Sequence, residues 1–248
     1  MNSPAVVGRL ERGFRALVPE RAAGGALLFW RQWIALQLQH NLEKMVRLSI
    51  KNFHFPGLNY VCFDFTPEHT IRLYIVEPVA QLQTKEVNIH NHLYDSQILC
   101  LHGSILNTTY RLDNDREDFN IYALTSALAP GNAEKRIKLE FITRRGLTVD
   151  RRILLSPGDT HFQPHTEIHN VENDPQTLTA FMVFEFQTVK KNSRIFTQKN
   201  YGDTIPTPGA YQRFEREELR ALVFSLLEDM KRSNVKLNGG EAVRLSDS

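Results

Sequence analysis

Two histidine clusters carry the clearest chemistry in the chain. The first is His90-Asn91-His92, and the second is Pro164-His165-Thr166-Glu167-Ile168-His169. Both lie in apolar or β-branched sequence, and histidines two residues apart on a strand point to the same face because side chains alternate with period two. Imidazoles from separate strands can therefore converge on one metal ion, with three of the nine histidines making the site.

The spacing around both clusters resembles the two motifs of the cupin superfamily. In the first motif, Gly-x5-His-x-His-x3/4-Glu-x6-Gly, the chain has Thr84 at the opening glycine, His90 and His92, Ser96-Gln97 at the glutamate, and Gly103. In the second, Gly-x5-Pro-x-Gly-x2-His-x3-Asn, it has Gly158, Pro164, Thr166 at the middle glycine, His169 and Asn173. The resemblance covers roughly residues 87–187.

This resemblance implies an all-β core, the cupin double-stranded β-helix or jelly-roll barrel, with a bound metal. The chain lacks the glutamate of the first motif and retains three histidines. In this respect it is similar to the thiol dioxygenase branch, of which cysteine dioxygenase is the familiar member. The stretch Ile168-His169-Asn170-Val171-Glu172-Asn173 is similar to the His-Arg-Val-Glu-Asn segment that carries that family's third ligand. The resemblance therefore implies a mononuclear Fe(II) on His90, His92 and His169, and a dioxygenase.

The donor set itself leaves the metal open. Neutral imidazoles bind Fe(II), Zn, Ni or Mn, and three of them leave positions on an octahedral ion for a chelating substrate and dioxygen. Such a site is one charge more positive than two histidines with a carboxylate, which favours a small anionic substrate. Two other interpretations remain: a non-redox metal cupin acting as isomerase, lyase or hydrolase, and a non-catalytic ligand-binding cupin.

Three further residues are candidates for contacts with substrate or oxygen. Gln97 follows His92 near the glutamate spacing, and its amide can hydrogen-bond a bound oxygen species or substrate. Arg72 lies on a predicted strand and can clamp a carboxylate bidentately if it points into the barrel. Tyr110 is the third candidate, and only one of Tyr110 and Arg111 can face inward. Each also fits a purely structural role.

The ligand set has alternatives nearby in sequence. His161 or His165 replaces His169 if the turn in the second motif is shorter than the motif requires. Asp95 completes a site of two histidines and one carboxylate in a further alternative, although its spacing of three from His92 gives it the opposite strand parity.

Helices are expected on both sides of a strand-rich core. Apolar residues at spacings of three and four predict a helix over about 27–46, whose tryptophans pack against a sheet. Residues 48–187 alternate short apolar runs with turn residues, which predicts an antiparallel jelly roll with an excursion near 127–136. Residues 219–230 predict a second amphipathic helix that covers the barrel or joins two subunits of a homodimer.

The predicted organisation is an N-terminal helical extension (1–47), a cupin barrel (48–200), and a linker with the C-terminal helix (201–248). The formal net charge of +2 over 248 residues, with basic and acidic residues interspersed, argues against a nucleic-acid partner and favours a small molecule. Cys62 and Cys100 each lie in an apolar stretch, which predicts two buried free thiols in a reducing compartment. With no signal-peptide pattern and no apolar stretch of membrane-spanning length, we expect a cytoplasmic protein.

Overall fold

The computed structural model describes residues 24–54, 56–78, 89–124, 139–189, 192–201 and 211–239. Within these ranges the helices are α1 (Gly24–His40), α2 (Leu42–Leu48) and α3 (Arg216–Gly239). The strands are β1 (Leu58–Phe65), β2 (Thr70–Val76), β3 (Ile89–His90), β4 (Tyr94–His102), β5 (Ile105–Asp113), β6 (Phe119–Leu124), β7 (Leu139–Leu155), β8 (Thr160–Gln163), β9 (Ile168–Asn173), β10 (Thr179–Thr188) and β11 (Ser193–Thr197).

The strands form two antiparallel sheets. The first sheet has the order β1-β2-β10-β4-β8, and the second has the order β11-β3-β9-β5-β7-β6 and closes because β6 also pairs with β11. The predicted all-β core with helices before and after it is confirmed. Its antiparallel pairing is the one expected of a cupin jelly roll, in which non-local strands meet and apolar side chains alternate between two faces.

The helices cover the outer face of the first sheet. The ring of Trp30 lies 5.4 Å from that of Phe184 on β10, and the ring of Trp33 lies 4.9 Å from that of Phe63 on β1. The same apolar layer includes four buried residues of α3, which are Leu219, Val223, Leu226 and Met230. The tryptophans therefore pack against a sheet as predicted, and α3 covers the core.

The N-terminal apolar stripe, predicted as one helix, is divided at Asn41. This residue has φ −125° and ψ 17°, outside the helical region, while its side-chain amide donates to Gln37 Oε1 at 2.8 Å. Asparagine favours helix ends because its side chain competes for local hydrogen bonds. The stripe nevertheless continues, since Leu42 and Met45 of α2 are buried in the same apolar layer.

The second sheet has two buried faces. One face lines the inside of the closed barrel, where all six strands contribute to a single cluster: Ile89, Tyr110, Phe119, Ile121, Leu147, Ile168 and Phe196. The other face meets the first sheet, as when Ile105 of β5 clusters with Ile98 and Val183. Because His169 follows Ile168 on β9, its side chain points to this inter-sheet face.

The two histidine clusters become neighbours through β3, a strand of two residues. On one side β3 pairs with β11, and on the other side His90 lies opposite His169 of β9. The chain is held in place just beyond β3, because the Asn91 N–H donates to the Arg194 carbonyl at 3.0 Å and Asn91 Oδ1 accepts from the Arg194 N–H at 2.8 Å.

Other sequence-based expectations have mixed outcomes. Cys62 and Cys100 are buried and free, as predicted. Among the described helices, none has the length and apolar character needed to cross a membrane. Thr84, the excursion near 127–136 and residues 202–210 of the expected linker lie outside the described residues. The domain boundaries, the homodimer and the cytoplasmic location stay predictions.

Candidate metal centre

Three imidazoles converge between the two sheets. His90 on β3, His92 just after it and His169 on β9 each offer a ring nitrogen, and these nitrogens all lie within 4.8 Å of one another. The Nε2 atoms of His92 and His169 are 3.0 Å apart. His169 is buried, whereas His90 and His92 are half-buried, so the solvent side of the cluster is the side of these two residues.

The tautomer of His169 is set by Asn107 on β5. His169 Nδ1 lies 2.6 Å from Asn107 Oδ1, and Asn107 Nδ2 donates to Glu167 Oε1 at 3.2 Å. Because Glu167 accepts from the amide nitrogen, the amide oxygen must face His169 and accept from its Nδ1–H. The lone pair of His169 is then on Nε2, the atom that faces the other histidines, as in metal sites where a neighbouring acceptor orients the ligand.

Glu167 anchors this arrangement. Its carboxylate is 6% exposed and is held by three groups: Asn107, His161, whose Nε2 is 3.1 Å from Oε1, and Arg151, whose Nη2 donates to Oε2 at 3.4 Å. A buried carboxylate with three polar partners keeps one position, and so does the amide that it accepts from. His161 is consequently part of the support behind His169.

An amide from the first sheet completes the cluster. Gln163 at the end of β8 is 1% exposed, and its Nε2 lies 2.6 Å from His169 Nε2. Its Oε1 accepts from the Ser96 hydroxyl at 3.3 Å, and Ser96 is its partner in the pairing of β4 with β8. His90 and His169 belong to the second sheet, so the site joins groups from both sheets.

The cluster fits a divalent transition-metal ion. Burial, followed by the nearby His90 and His92, lowers the pKa of His169 well below its usual value of 6.5, which keeps the imidazole in its metal-binding neutral form. Two nitrogens bound cis at about 2.1 Å from an octahedral ion are about 3.0 Å apart, close to the separation of the two Nε2 atoms. Iron, zinc, nickel and manganese all accept such donors.

The structure does not bring Gln97 to the histidines. Ser96 faces Gln163 between the sheets, and Gln97 is the next residue of β4, so it lies on the opposite face. Its partner in β10 is Phe184, which belongs with Leu99 to the apolar layer under the helices. The place expected for the Gln97 amide is occupied by the Gln163 amide.

Tyr110 also lies apart from the histidines. It pairs with Ile168 and shares with it the cluster inside the closed barrel, where the Tyr110 hydroxyl donates to Asn170 Oδ1 at 3.0 Å. The Arg111 side chain is 76% exposed and pairs with Asp150 at 2.6 Å. Neither member of this adjacent pair reaches the candidate metal centre.

Arg72 points between the sheets but is already paired. Its guanidinium forms a salt bridge with Glu185 of β10, and the two side chains are 13% and 4% exposed. It also donates to the Tyr74 hydroxyl at 3.1 Å and lies 5.0 Å from the Tyr60 ring and 5.5 Å from the Tyr94 ring. The carboxylate that Arg72 binds in this structure is therefore the protein's own.

The alternative ligands are engaged elsewhere. Asp95 Oδ1 accepts from the backbone N–H of His165 at 2.7 Å and lies 2.7 Å from its Nδ1. His161 contacts Glu167 as described. His169 is therefore the member of the second motif that joins His90 and His92.

His54 is an exposed histidine near the site for which the sequence gives no pattern. Its Nδ1 lies 2.6 Å from the Tyr211 hydroxyl, and both residues have left-handed backbone conformations, with φ of 69° and 60°. Desolvation by its neighbours, followed by His90 and Arg72, lowers the pKa of His54. Non-glycine residues seldom adopt positive φ, so the surrounding packing fixes this contact.

Sequence reasoning misses the supporting residues Gln163, Asn107 and Glu167. Gln163 and Glu167 lie within the second motif, where a search for polar residues flanking the Pro164 turn would have found them. Asn107 is 62 positions from its partner His169, and no local pattern marks it.

No family model matches the chain, and no curated protein matches it. Among solved structures, hydroxypropylphosphonic acid epoxidase from S. wedmorenis is similar at 13% identity over 56% of this chain and 54% of that chain, with a TM-score of 0.34. A sugar phosphate isomerase of the cupin superfamily from Silicibacter pomeroyi is similar at 13% identity over 53% and 60%, with a TM-score of 0.31.

Hydroquinone 1,2-dioxygenase from Sphingomonas sp. TTNP3 is similar at 17% identity over 52% of this chain and 65% of that chain, with a TM-score of 0.30. The chain thus spans between 54% and 65% of the length of these three proteins. Each likeness is partial.

Proposed function

We propose that this protein is a mononuclear non-heme iron oxygenase of the dioxygenase type. Its ligands are His90, His92 and His169, and its substrates are dioxygen and a small anionic metabolite. The observation that carries the proposal is the convergence of three imidazoles, a group to which no carboxylate of the described residues belongs. This donor set is the one that the resemblance to the three-histidine thiol dioxygenase branch implies.

The supporting residues fit a ligand role for His169. Asn107 holds His169 Nδ1 protonated, and Glu167 holds Asn107 in turn. Metal-binding histidines have this type of support in proteins generally. Bound Fe(II) would supply a redox-active Lewis acid with coordination positions left over for two further ligands.

The charges near the site favour an anionic substrate. Arg72 and Glu185 neutralise each other, and the Glu167 carboxylate lies behind His169 with Arg151 beside it. Three neutral imidazoles cancel none of the metal's charge, so a dication on them remains uncompensated in a partly buried site. Coulomb attraction for an anion is stronger there than in bulk water because the effective dielectric constant is lower.

Apolar side chains beside the site limit the access of water. Ile98, Ile105 and Val183 form part of a buried cluster between the sheets, and the ring of Tyr94 lies 5.5 Å from that of His92. The protein's own contribution is to orient three imidazoles, keep them neutral and surround them with a low-dielectric wall.

Metal analysis tests the proposal without knowledge of the substrate. The protein is purified without added metal, reconstituted anaerobically with Fe(II), and compared with His169→Ala and with the control His165→Ala, which removes a nearby histidine outside the cluster. We expect one iron per chain in wild type and in His165→Ala, and loss of iron in a folded His169→Ala.

Nitric oxide then probes the open positions, since it binds Fe(II) where dioxygen would and gives an electron paramagnetic resonance signal. We expect the signal in wild type, followed by oxygen uptake in a screen of small carboxylates and thiols. Iron retained by His169→Ala would contradict the ligand assignment. Activity that needs no oxygen and persists with zinc, nickel or manganese would instead indicate the non-redox isomerase, lyase or hydrolase.

A further inference from the structure

We propose that Gln163 is a fourth ligand, whose side-chain amide turns over when the metal binds and presents its Oε1 to the ion. The inference rests on the proposed metal site and adds a residue from outside the histidine motifs. It also predicts that this buried amide has its oxygen toward the cluster in the metal-bound protein.

In the structure the amide nitrogen of Gln163 faces the cluster. Asn107 keeps the Nδ1 of His169 protonated, so His169 Nε2 carries a lone pair, and Gln163 Nε2 donates to it over 2.6 Å. A cation on the three histidines needs this same lone pair. The N–H of the amide that faces the cluster would then point at a positive charge, so metal binding must displace the amide nitrogen from this position.

Ser96 makes the rotation feasible. Its hydroxyl donates to Gln163 Oε1 at 3.3 Å in the structure, and a hydroxyl can accept equally well. When the amide turns over, Nε2 donates to the Ser96 oxygen and Oε1 takes the position beside His169. Gln163 and Ser96 are 1% and 0% exposed, so no bulk water replaces a hydrogen bond that the rotation fails to restore.

The serine at position 96 explains why Gln163 can reach the cluster. Ser96 stands where the first cupin motif has its glutamate, and its small side chain leaves the inter-sheet space to Gln163 of the paired strand β8. An amide oxygen is a neutral ligand. The chain thereby gains a fourth donor while the metal keeps the full charge that attracts an anionic substrate.

Co(II) is a suitable probe, because its visible absorption depends on the number and type of its ligands. The affinity and spectrum of the Co(II) protein are compared among wild type, Gln163→Leu, Gln163→Glu and the matched control Gln97→Leu, which removes the neighbouring amide on the opposite face. We expect Gln163→Leu to weaken binding by about 10–100-fold and to change the spectrum. Gln97→Leu should leave both unchanged, and Gln163→Glu should bind more tightly with a shifted spectrum.

The outcomes separate the two proposals. If wild type binds no Co(II), the three-histidine metal site itself is refuted. If wild type binds Co(II) and Gln163→Leu matches it in affinity and spectrum, the ligand role of Gln163 is refuted and the histidine site stands. If Gln163→Leu fails to fold, as judged by near-ultraviolet circular dichroism, Gln163→Glu decides, because a spectrum identical to wild type would overturn the ligand role.

Discussion

Substituting Arg72 tests whether its ion pair with Glu185 is a structural element or a site for substrate. In the structure the pair is internal, with side chains 13% and 4% exposed, and Tyr74 accepts a further hydrogen bond from the guanidinium. Arg72→Met keeps the length of the side chain but removes the charge. Glu185 is then left buried without its cation.

The expected cost is large because of this burial. Removing one partner of a buried ion pair typically costs about 3–5 kcal/mol of unfolding free energy, since the remaining charge loses its compensation. We expect a loss in this range for Arg72→Met and for Glu185→Gln. Burial already raises the pKa of Glu185, opposed by Arg72, and in Arg72→Met that opposition disappears. The double variant Arg72→Met/Glu185→Gln leaves no buried charge and should lose less stability than either single variant.

Urea unfolding of the metal-free proteins, followed by tryptophan fluorescence, provides the four free energies of the cycle. Lys44→Met is the control, because Lys44 and Asp64 are 2.6 Å apart but 41% and 33% exposed. A surface pair of this kind contributes less than about 1 kcal/mol. Losses that add up in the double variant, or an Arg72→Met variant as stable as Lys44→Met, would refute the structural role and favour Arg72 as a substrate-binding group.

Three further predictions follow from other contacts. Asn107→Leu removes the acceptor of His169 Nδ1–H and should weaken Co(II) binding by about 10–100-fold in a competition titration; unchanged affinity would contradict the tautomer assignment. Gly103→Ala should cost about 1–3 kcal/mol in urea unfolding, because φ is +69° and the new Cβ would lie 2.6 Å from Thr179 Oγ1; a neutral result would show that the turn adapts. The pKa of His54 is lower in the folded chain than its ordinary value of 6.5, so the unfolded state binds a proton more readily and the free energy of unfolding falls as the pH drops below 6.5. Solvent screening at this exposed residue reduces the size of that slope. His54→Asn should remove this slope between pH 6.5 and 5.5, and an unchanged slope would assign the pH dependence to other groups.

The histidine cluster could be predicted from sequence because each half of it is local. His90 and His92 are two residues apart, and His169 occurs within a motif of its own. The spacing of apolar residues along the chain likewise predicts the strand-rich core and the apolar stripe of α3, and both are present in the structure. Even the break of the first helix at Asn41 changes the boundary of an element without changing its buried face.

The sequence does not show on which face of its strand a given residue lies. It also does not show which distant residue that side chain contacts. Gln97 and Ser96 differ by one position, and that difference places one under the helices and the other beside Gln163. Arg72 does point inward, but the residue that neutralises it is 113 positions away. Tertiary pairing determines such partners, and a strand pattern contains no information about them.

The two-residue strand β3 gives the closed sheet a weak point. Its link to β9 is the His90–His169 pair, whereas β5 and β7 are joined by nine residue pairs. Local openings of a native protein begin where few backbone contacts must break, so amide hydrogens of residues 89–90 and 169 should exchange with solvent before those of β5 and β7. A cation bound by His90 and His169 would link β3 to β9 at this position. If added metal slows amide exchange at residues 89–90 and 169, the size of the decrease measures how much the bound ion stabilises this part of the barrel.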